Sequence, residues 1–341
     1  MGKKQVTFAD IAAYTNFSKT TISRYFNNPD SLTLENQEKI AHALDVLGYQ
    51  ENKLAKVLAN GKSEFVGIII PNLYLHYYSE MLNQLLSTYE KYNYKFLVFI
   101  GNNKKEIEEK YIHELMAYKI EGLIVLSNTI SSEELASYKL PVVTIERECD
   151  HVCSVSTDNY LGGVQATSLL IRNKCDVILH INSIFPDTLP TYGRIRGFED
   201  ICNEHHVVHE LIQRNLGNTY QETLTQLKNI FNEIEEKYPS QKKGVFLAND
   251  TYASMFLNLI FQKYGKLPKD YQIVGFDDSP IASEAILPIT TVGQQIEKIA
   301  QTAMELLVLQ MNEMKKRKPA PLKEPVHKQI TPVLIRRNTT D

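Results

Sequence analysis

The chain of 341 residues has no tryptophan, only four cysteines and a formal net charge of just -3. Four cysteines in so long a chain do not make a disulfide framework, which excludes a small stapled scaffold and fits a reducing compartment. Long apolar runs are also missing. The longest, residues 65–71 and 122–126, fall far short of the ~18–20 residues of a membrane span, and no N-terminal stretch reads as a signal peptide. A cytoplasmic protein with no membrane partner is therefore expected. Hydrophobic residues make up 43% and charged residues 23%, the balance of a globular protein, and the length suggests about two domains with room for a small extra module.

What charge there is falls unevenly. Residues 1–62 carry eight basic and six acidic side chains, a net of +2, whereas the remainder carries a net of -5. Residues 6–60 read as short helices without strands. Thr7 and Asp10 have the spacing of a capping box, so a helix starts near Phe8, with Phe8, Ile11 and Ala12 on one face. Asn16 tolerates the left-handed turn that follows. Ser18 then caps a second helix, Lys19 to Asn27, with Ile22 and Phe26 inward. A third helix runs from Leu34 to Leu47, with Ile40, Ala43, Leu44 and Leu47 as its stripe and Gly48 as its end.

Three helices of this size match a helix-turn-helix, whose second helix reads the major groove from its N-terminal residues. Lys19 and Thr20 would face base edges, and Arg24 could fork onto a guanine. Ser18, Thr7, Ser23 and Asn27 suit phosphate contacts that fix register. The competing reading is a helical subdomain of ordinary surface polarity. Beyond residue 62 short apolar strands alternate with helices, from residues 65–70 through 273–275, giving about ten strands. That is the texture of doubly wound parallel α/β sheets, and it suggests two lobes.

Residues 6–12 and 17–27 closely resemble the N-terminus of the lactose and galactose repressor family of bacterial transcription regulators. The resemblance continues through Leu44–Tyr49, residues 52–58, Val66-Gly67-Ile68-Ile69-Ile70-Pro71, Thr157-Asp158-Asn159, Arg194-Ile195-Arg196-Gly197-Phe198, Ala248-Asn249-Asp250, Val274-Gly275-Phe276-Asp277-Asp278 and residues 330–336. It implies a helix-turn-helix head over residues 1–50, a hinge helix and linker over 51–62, and a two-lobed periplasmic-binding-protein-like effector and dimerisation domain over 63–341. A homodimer would bind double-stranded, pseudopalindromic operator DNA, with Leu58 wedged into the minor groove and Ala55 beside it. Leu58 could instead be a leucine buried at the domain junction. The interlobe cleft would hold a small effector, a sugar or sugar phosphate, through Tyr77, Tyr78, Asp158, Arg194, Asn249, Asp277 and Gln294. Arg194 and Asp277 could alternatively form a structural ion pair, and Asp250 is expected to cap the helix after it. Glu146 stands where the family more often has Asp, and Asn16 where it has Gly. The chain ends soon after the last of these motifs, which predicts a dimer and not a tetramer.

Other chemistries find little support. Gly61-Lys62-Ser63 resembles the end of a phosphate loop, but the first glycine of that pattern would fall at Lys56. Neither Cys149, His151 and Cys153 nor His205, His206 and His209 has zinc-site spacing, and no nucleophile turn is present, so no metal, cofactor or catalytic residue is expected. The basic run 315–318 reads as a solvated loop. The expected function is a ligand-responsive repressor of a carbohydrate operon. Its rivals are the same dimer controlled by a phosphocarrier protein and, from a different class, a solute-binding protein.

Overall fold

The computed structural model describes residues 6–50, 63–147, 150–316 and 324–341, and the chain divides into two compact units, Met1–Lys62 and Ser63–Asp341. The first unit contains α1 (Phe8–Thr15), α2 (Lys19–Asn27) and α3 (Leu34–Leu47), on the expected boundaries. At its start the Asp10 carboxylate accepts from the Thr7 N–H at 2.8 Å and from the Thr7 hydroxyl at 2.6 Å. Ser18 accepts from the Thr21 N–H at 3.1 Å, and the left-handed residues Asn16 and Gly48 end α1 and α3. Each helix sends isoleucine to the centre, as Ile11, Ile22 and Ile40, with Ala43 beside them. Phe8 stacks on Phe26 at 5.1 Å and Tyr49 leans against both, so aromatic area supplements a very small aliphatic core.

The second unit is built of two six-stranded sheets. Its elements in order are β1 (Phe65–Ile70), α4 (His76–Ser87), α5 (Tyr89–Tyr92), β2 (Lys95–Ile100), α6 (Lys105–Ala117), β3 (Gly122–Val125), α7 (Ser132–Ser137), β4 (Val142–Ile145), β5 (Cys153–Thr157), α8 (Asn159–Arg172), β6 (Val177–Ser183), α9 (Gly193–Glu204), β7 (His209–Arg214), α10 (Tyr220–Lys237), β8 (Lys243–Leu247), α11 (Asp250–Tyr264), β9 (Tyr271–Asp277), α12 (Pro280–Glu284), β10 (Thr290–Gly293), α13 (Ile296–Met314), β11 (His327–Ile330) and β12 (Val333–Ile335). The first sheet has the order β11-β5-β4-β3-β1-β2 and is parallel throughout; the second, β12-β10-β9-β8-β6-β7, is parallel except for β12.

Helices on both faces explain why the central strands read as unbroken Val, Ile and Leu: β1, β3, β4, β8 and β9 are buried almost residue for residue. In the first lobe one apolar cluster lies under α4 and α13 and another under α6 and α7. The second lobe repeats the arrangement with α8 and α9 on one face and α10 and α11 on the other. Twelve strands among the described residues exceed the ten that periodicity suggests. Those it misses are short, and β11, His-Lys-Gln-Ile, buries only its last residue, which leaves almost no hydrophobic signal. The basic run is also less solvated than expected at its start, since Lys315 pairs with Glu121 and the Tyr94 hydroxyl.

The chain crosses between the lobes three times: from β5 to α8, from β10 to α13 and from β11 to β12. Beside the first crossing α8 and α9 approach to backbone contact. A Cβ at Gly163 would lie 2.4 Å from the Arg194 carbonyl oxygen, and one at Gly197 would lie 2.3 Å from that of Tyr160. Both are closer than any side chain tolerates, so the helices would have to separate. Gly197→Ala is therefore expected to destabilise the protein by ~1–3 kcal/mol, seen as a lower urea midpoint at unchanged slope. An unchanged midpoint would show that the pair parts without cost.

Candidate functional site

Open parallel α/β sheets present ligands at the carboxyl ends of their strands, where the strand order reverses. Here the carboxyl ends of both sheets border one cleft of about 200 Å³. Tyr77 and Tyr78 come from the first turn of α4, Asn128 follows β3, and Glu146 follows β4. Across from them Asn182 lies in β6, Asn249 precedes α11, Asp277 ends β9 and Arg194 opens α9, while Gln294 sits on the β10 crossing.

These side chains are tied to one another and to the crossings. Arg194 donates from Nε to Asn159 Oδ1 at 2.8 Å and from Nη1 to the Ala248 carbonyl at 2.6 Å, and its guanidinium lies 3.7 Å from the Phe276 ring centre. Asn159 donates in turn to Glu146 at 2.8 Å, and Glu146 also accepts the Thr157 N–H. The Thr157 hydroxyl donates to Gln294 Oε1 at 2.7 Å, and Gln294 Nε2 donates to Asp277 at 2.5 Å. The third crossing is held by the Asp158 N–H on the Ile330 carbonyl at 2.9 Å and by Gln295 on that of Thr331. Two cleft residues have left-handed backbone, Glu146 at φ 55° and Asp277 at φ 112°. Such strain persists only where the surroundings over-determine it, as the network does here.

Burial sets the electrostatics. Glu146 and Asp277 are 7% and 3% exposed, and loss of water pushes both carboxyl groups up, opposed by the charge of nearby Arg194; Asp277 is raised to about 7. Asp250 behaves likewise, pushed well up by burial and by Asp277. Burial also raises the Tyr77 and Tyr78 phenols, and the buried Tyr77 hydroxyl has no hydrogen-bond partner. At pH 7 the cleft thus holds one fixed cation against carboxylates that are costly to ionise.

Six of the seven effector residues expected from the resemblance border the cleft; Asp158 does not. Its carboxylate caps α8 by accepting from the Leu161 N–H at 3.0 Å, and the inward position belongs to its neighbour Asn159 and to Glu146. Asp250 does not cap α11. Asn249 does, at 2.8 Å from the Tyr252 N–H, while Asp250 is buried and accepts from Ser279 and Thr291. The alternative ion pair between Arg194 and Asp277 is not formed: among the described residues Arg194 bonds Asn159 and Ala248, and Asp277 bonds Gln294.

Residues that the sequence reading did not select include Asn128, Asn182, Phe185, Thr191 and Tyr252. Asn128 sits in a loop held on both sides. Glu108, wholly buried, accepts from the Ser127 hydroxyl at 2.6 Å and from the Thr129 hydroxyl, and Arg147 donates to the Ser127 and Ile130 carbonyls. Glu108 stands in the first turn of α6 beside Glu106 and Glu109, and nothing in the sequence sets it apart from them.

In the first unit Lys19, Thr20 and Arg24 are exposed on α2, and no described residue pairs with their side chains. Ser18 and Thr7 serve as caps and are exposed, whereas the Asn27 amide turns back onto the Ser23 carbonyl and hydroxyl at 3.0 and 3.1 Å. Ala55 and Leu58 lie outside the described residues.

Comparison with known proteins places this geometry in context. A periplasmic binding protein-like domain model matches residues 168–340. The chain is 26% identical over 303 residues to the sucrose operon repressor of Streptococcus mutans, covering 88% of this chain and 91% of that protein. It is 25% identical over 305 residues to the ribose operon repressor of Bacillus subtilis, with 89% and 90% covered. Among solved structures, the lac repressor dimer bound to operator and the anti-inducer ONPF superposes with a TM-score of 0.81 at 21% identity, covering 99% of both chains. A LacI-type regulator from Alkaliphilus metalliredigens complexed with D-xylulofuranose gives 0.69 at 26% identity, with 82% and 100% covered.

Because Asp277 binds its proton more tightly when folded than when unfolded, stability falls as pH rises from the ordinary carboxylate range to about 7, and the penalty persists above that. Asp277→Asn is expected to raise the thermal midpoint at pH 8 and to converge with the parent protein toward pH 5. A variant less stable than the parent at pH 8 would contradict this assignment.

Proposed function

The chain belongs to the lactose/galactose repressor family of bacterial transcription regulators, and on that premise we propose how it acts: a cytoplasmic, ligand-responsive repressor of a carbohydrate operon. It binds operator DNA as a homodimer and does no chemistry in its cleft. Residues 1–50 are the reading head, 51–62 the hinge segment with Ala55 and Leu58, and 63–341 the effector and dimerisation domain. Lys19, Thr20 and Arg24 read base edges, while Thr7, Ser18, Ser23 and Asn27 hold the backbone of the duplex. A net of only +2 in the head means that affinity depends on helix N-termini, hinge folding and dimerisation, so one head alone binds weakly and two half-sites are needed.

The observation that carries the effector half of this reading is the bonding of cleft residues to the interlobe crossings. Glu146 holds the Thr157 N–H and Gln294 joins Thr157 to Asp277, so a ligand that replaces or tightens those bonds favours one lobe arrangement over another. Only its difference in affinity for the two arrangements can shift operator binding. Operator-named and sugar-complexed relatives support the same reading.

A mobility-shift assay of the full-length protein on DNA upstream of its own gene is expected to show salt-sensitive, site-specific retention that a sugar changes; the absence of specific retention at moderate salt rejects the reading. Arg24→Ala is expected to cost ~1–3 kcal/mol and to relax selectivity at one base position in each half-site. Uniform weakening across all sequences would instead make Arg24 a phosphate contact.

A further inference from the structure

The charge of the cleft narrows the effector class, and the argument rests on the effector reading above. We propose that the cleft accepts an uncharged polyhydroxylated ligand and excludes phosphorylated and carboxylated sugars, because its two buried carboxylates face a single guanidinium that is itself tied into the protein.

A phosphate monoester carries about -1.5 to -2 charges at pH 7 and needs several convergent donors. Arg194 is the one cation bordering the cleft among the described residues, and it spends Nε on Asn159 and Nη1 on the Ala248 carbonyl while Phe276 covers one face. The Nε edge is thereby closed, and the N–H groups left on the two terminal nitrogens belong to one cation, where a phosphate calls for several convergent donors. Arg147, next in sequence to Glu146, is turned to the Ser127 and Ile130 carbonyls. Helix N-termini could substitute for cations, but much of their N–H capacity beside the cleft is spent: at α9 the Tyr192 and Gly193 N–H groups go to carbonyls of the preceding turn. Asn249 caps α11, and at α4 the N–H groups of Leu75, His76 and Tyr78 go to Asn72, Thr251 and the Leu75 carbonyl. An anion would therefore lie beside Glu146 and Asp277 with no adequate counter-charge.

The same groups fit hydroxyls. Each Glu146 oxygen accepts from one described donor, and the second Asp277 oxygen from none, so both carboxylates keep lone pairs for hydroxyl donors. The buried Tyr77 hydroxyl, on the cleft wall without a partner, can both give and take one bond. The amides of Asn128 and Asn182 add mixed donors and acceptors, and Phe185 offers an apolar face for ring C–H groups.

The test titrates the full-length protein calorimetrically at pH 8, above the Asp277 midpoint, with sucrose, ribose and cellobiose, each beside its phosphate monoester, and with gluconate. At least one neutral sugar is expected to bind, and its phosphate ester to bind at least about 100-fold more weakly, since like-charge juxtaposition costs several kcal/mol. A phosphate ester or gluconate that binds as tightly as the best neutral sugar overturns the proposal, and so does silence of the whole neutral series. Glu146→Gln is expected to narrow the gap; a gap of full width would overturn the assignment of selectivity to these carboxylates. Operator retention without ligand is measured alongside. Its loss rejects the regulator reading, whereas anion binding with retention intact rejects this inference alone.

Discussion

Three crossings of the chain between two lobes, all at the carboxyl edge of the sheets, impose the constraint on which the site depends. Backbone polar groups buried there must find partners inside the protein, because an unsatisfied one costs ~1–3 kcal/mol. The partners are side chains on the cleft wall, Glu146 and Gln294, and Asn159 behind it. Glu146 takes the Thr157 N–H, Asn159 takes the Thr157 carbonyl, and Gln294 joins the Thr157 hydroxyl to Asp277. Cleft side chains and interlobe crossings are consequently tied by one set of bonds.

That economy has an energetic cost, visible as two buried carboxylates without ion pairs and as left-handed backbone at Glu146 and Asp277. It is carried by the sheets. Four apolar clusters, one on each sheet face, fill the lobes with Val, Ile, Leu and Phe buried to within a few per cent. The head has no such reserve, since it centres on Ile11, Ile22, Ile40 and Ala43 and leans on stacked aromatics.

Much of this was legible in the sequence. Caps at Ser18 and the left-handed Asn16 and Gly48 placed the three head helices closely, because local hydrogen bonds and φ preferences decide such boundaries. Long apolar strands announced themselves for the same reason: both faces are covered. The site was harder. Six of seven cleft residues came from motif order, but Asp158 and Asn159 are adjacent, and which one turns inward depends on where α8 starts, a fact only tertiary packing fixes. Asn128 and Phe185 lie in loops whose path is set by distant residues such as Glu108, and no local pattern encodes that.

The glycine contact between α8 and α9 also bears on how such a cleft can acquire a new ligand. Arg194 is seated by backbone touching backbone, with Gly163 against its own carbonyl and Gly197 against that of Tyr160. Its direction therefore leaves little freedom to side-chain replacement, and it supplies a fixed donor whatever the ligand. Asn128, Phe185 and Thr191 project from loops and face no such restriction. On the proposed effector reading, the cleft thus has a half fixed by backbone packing, which would recognise that a polyol is present, and an adjustable half, which would decide which one.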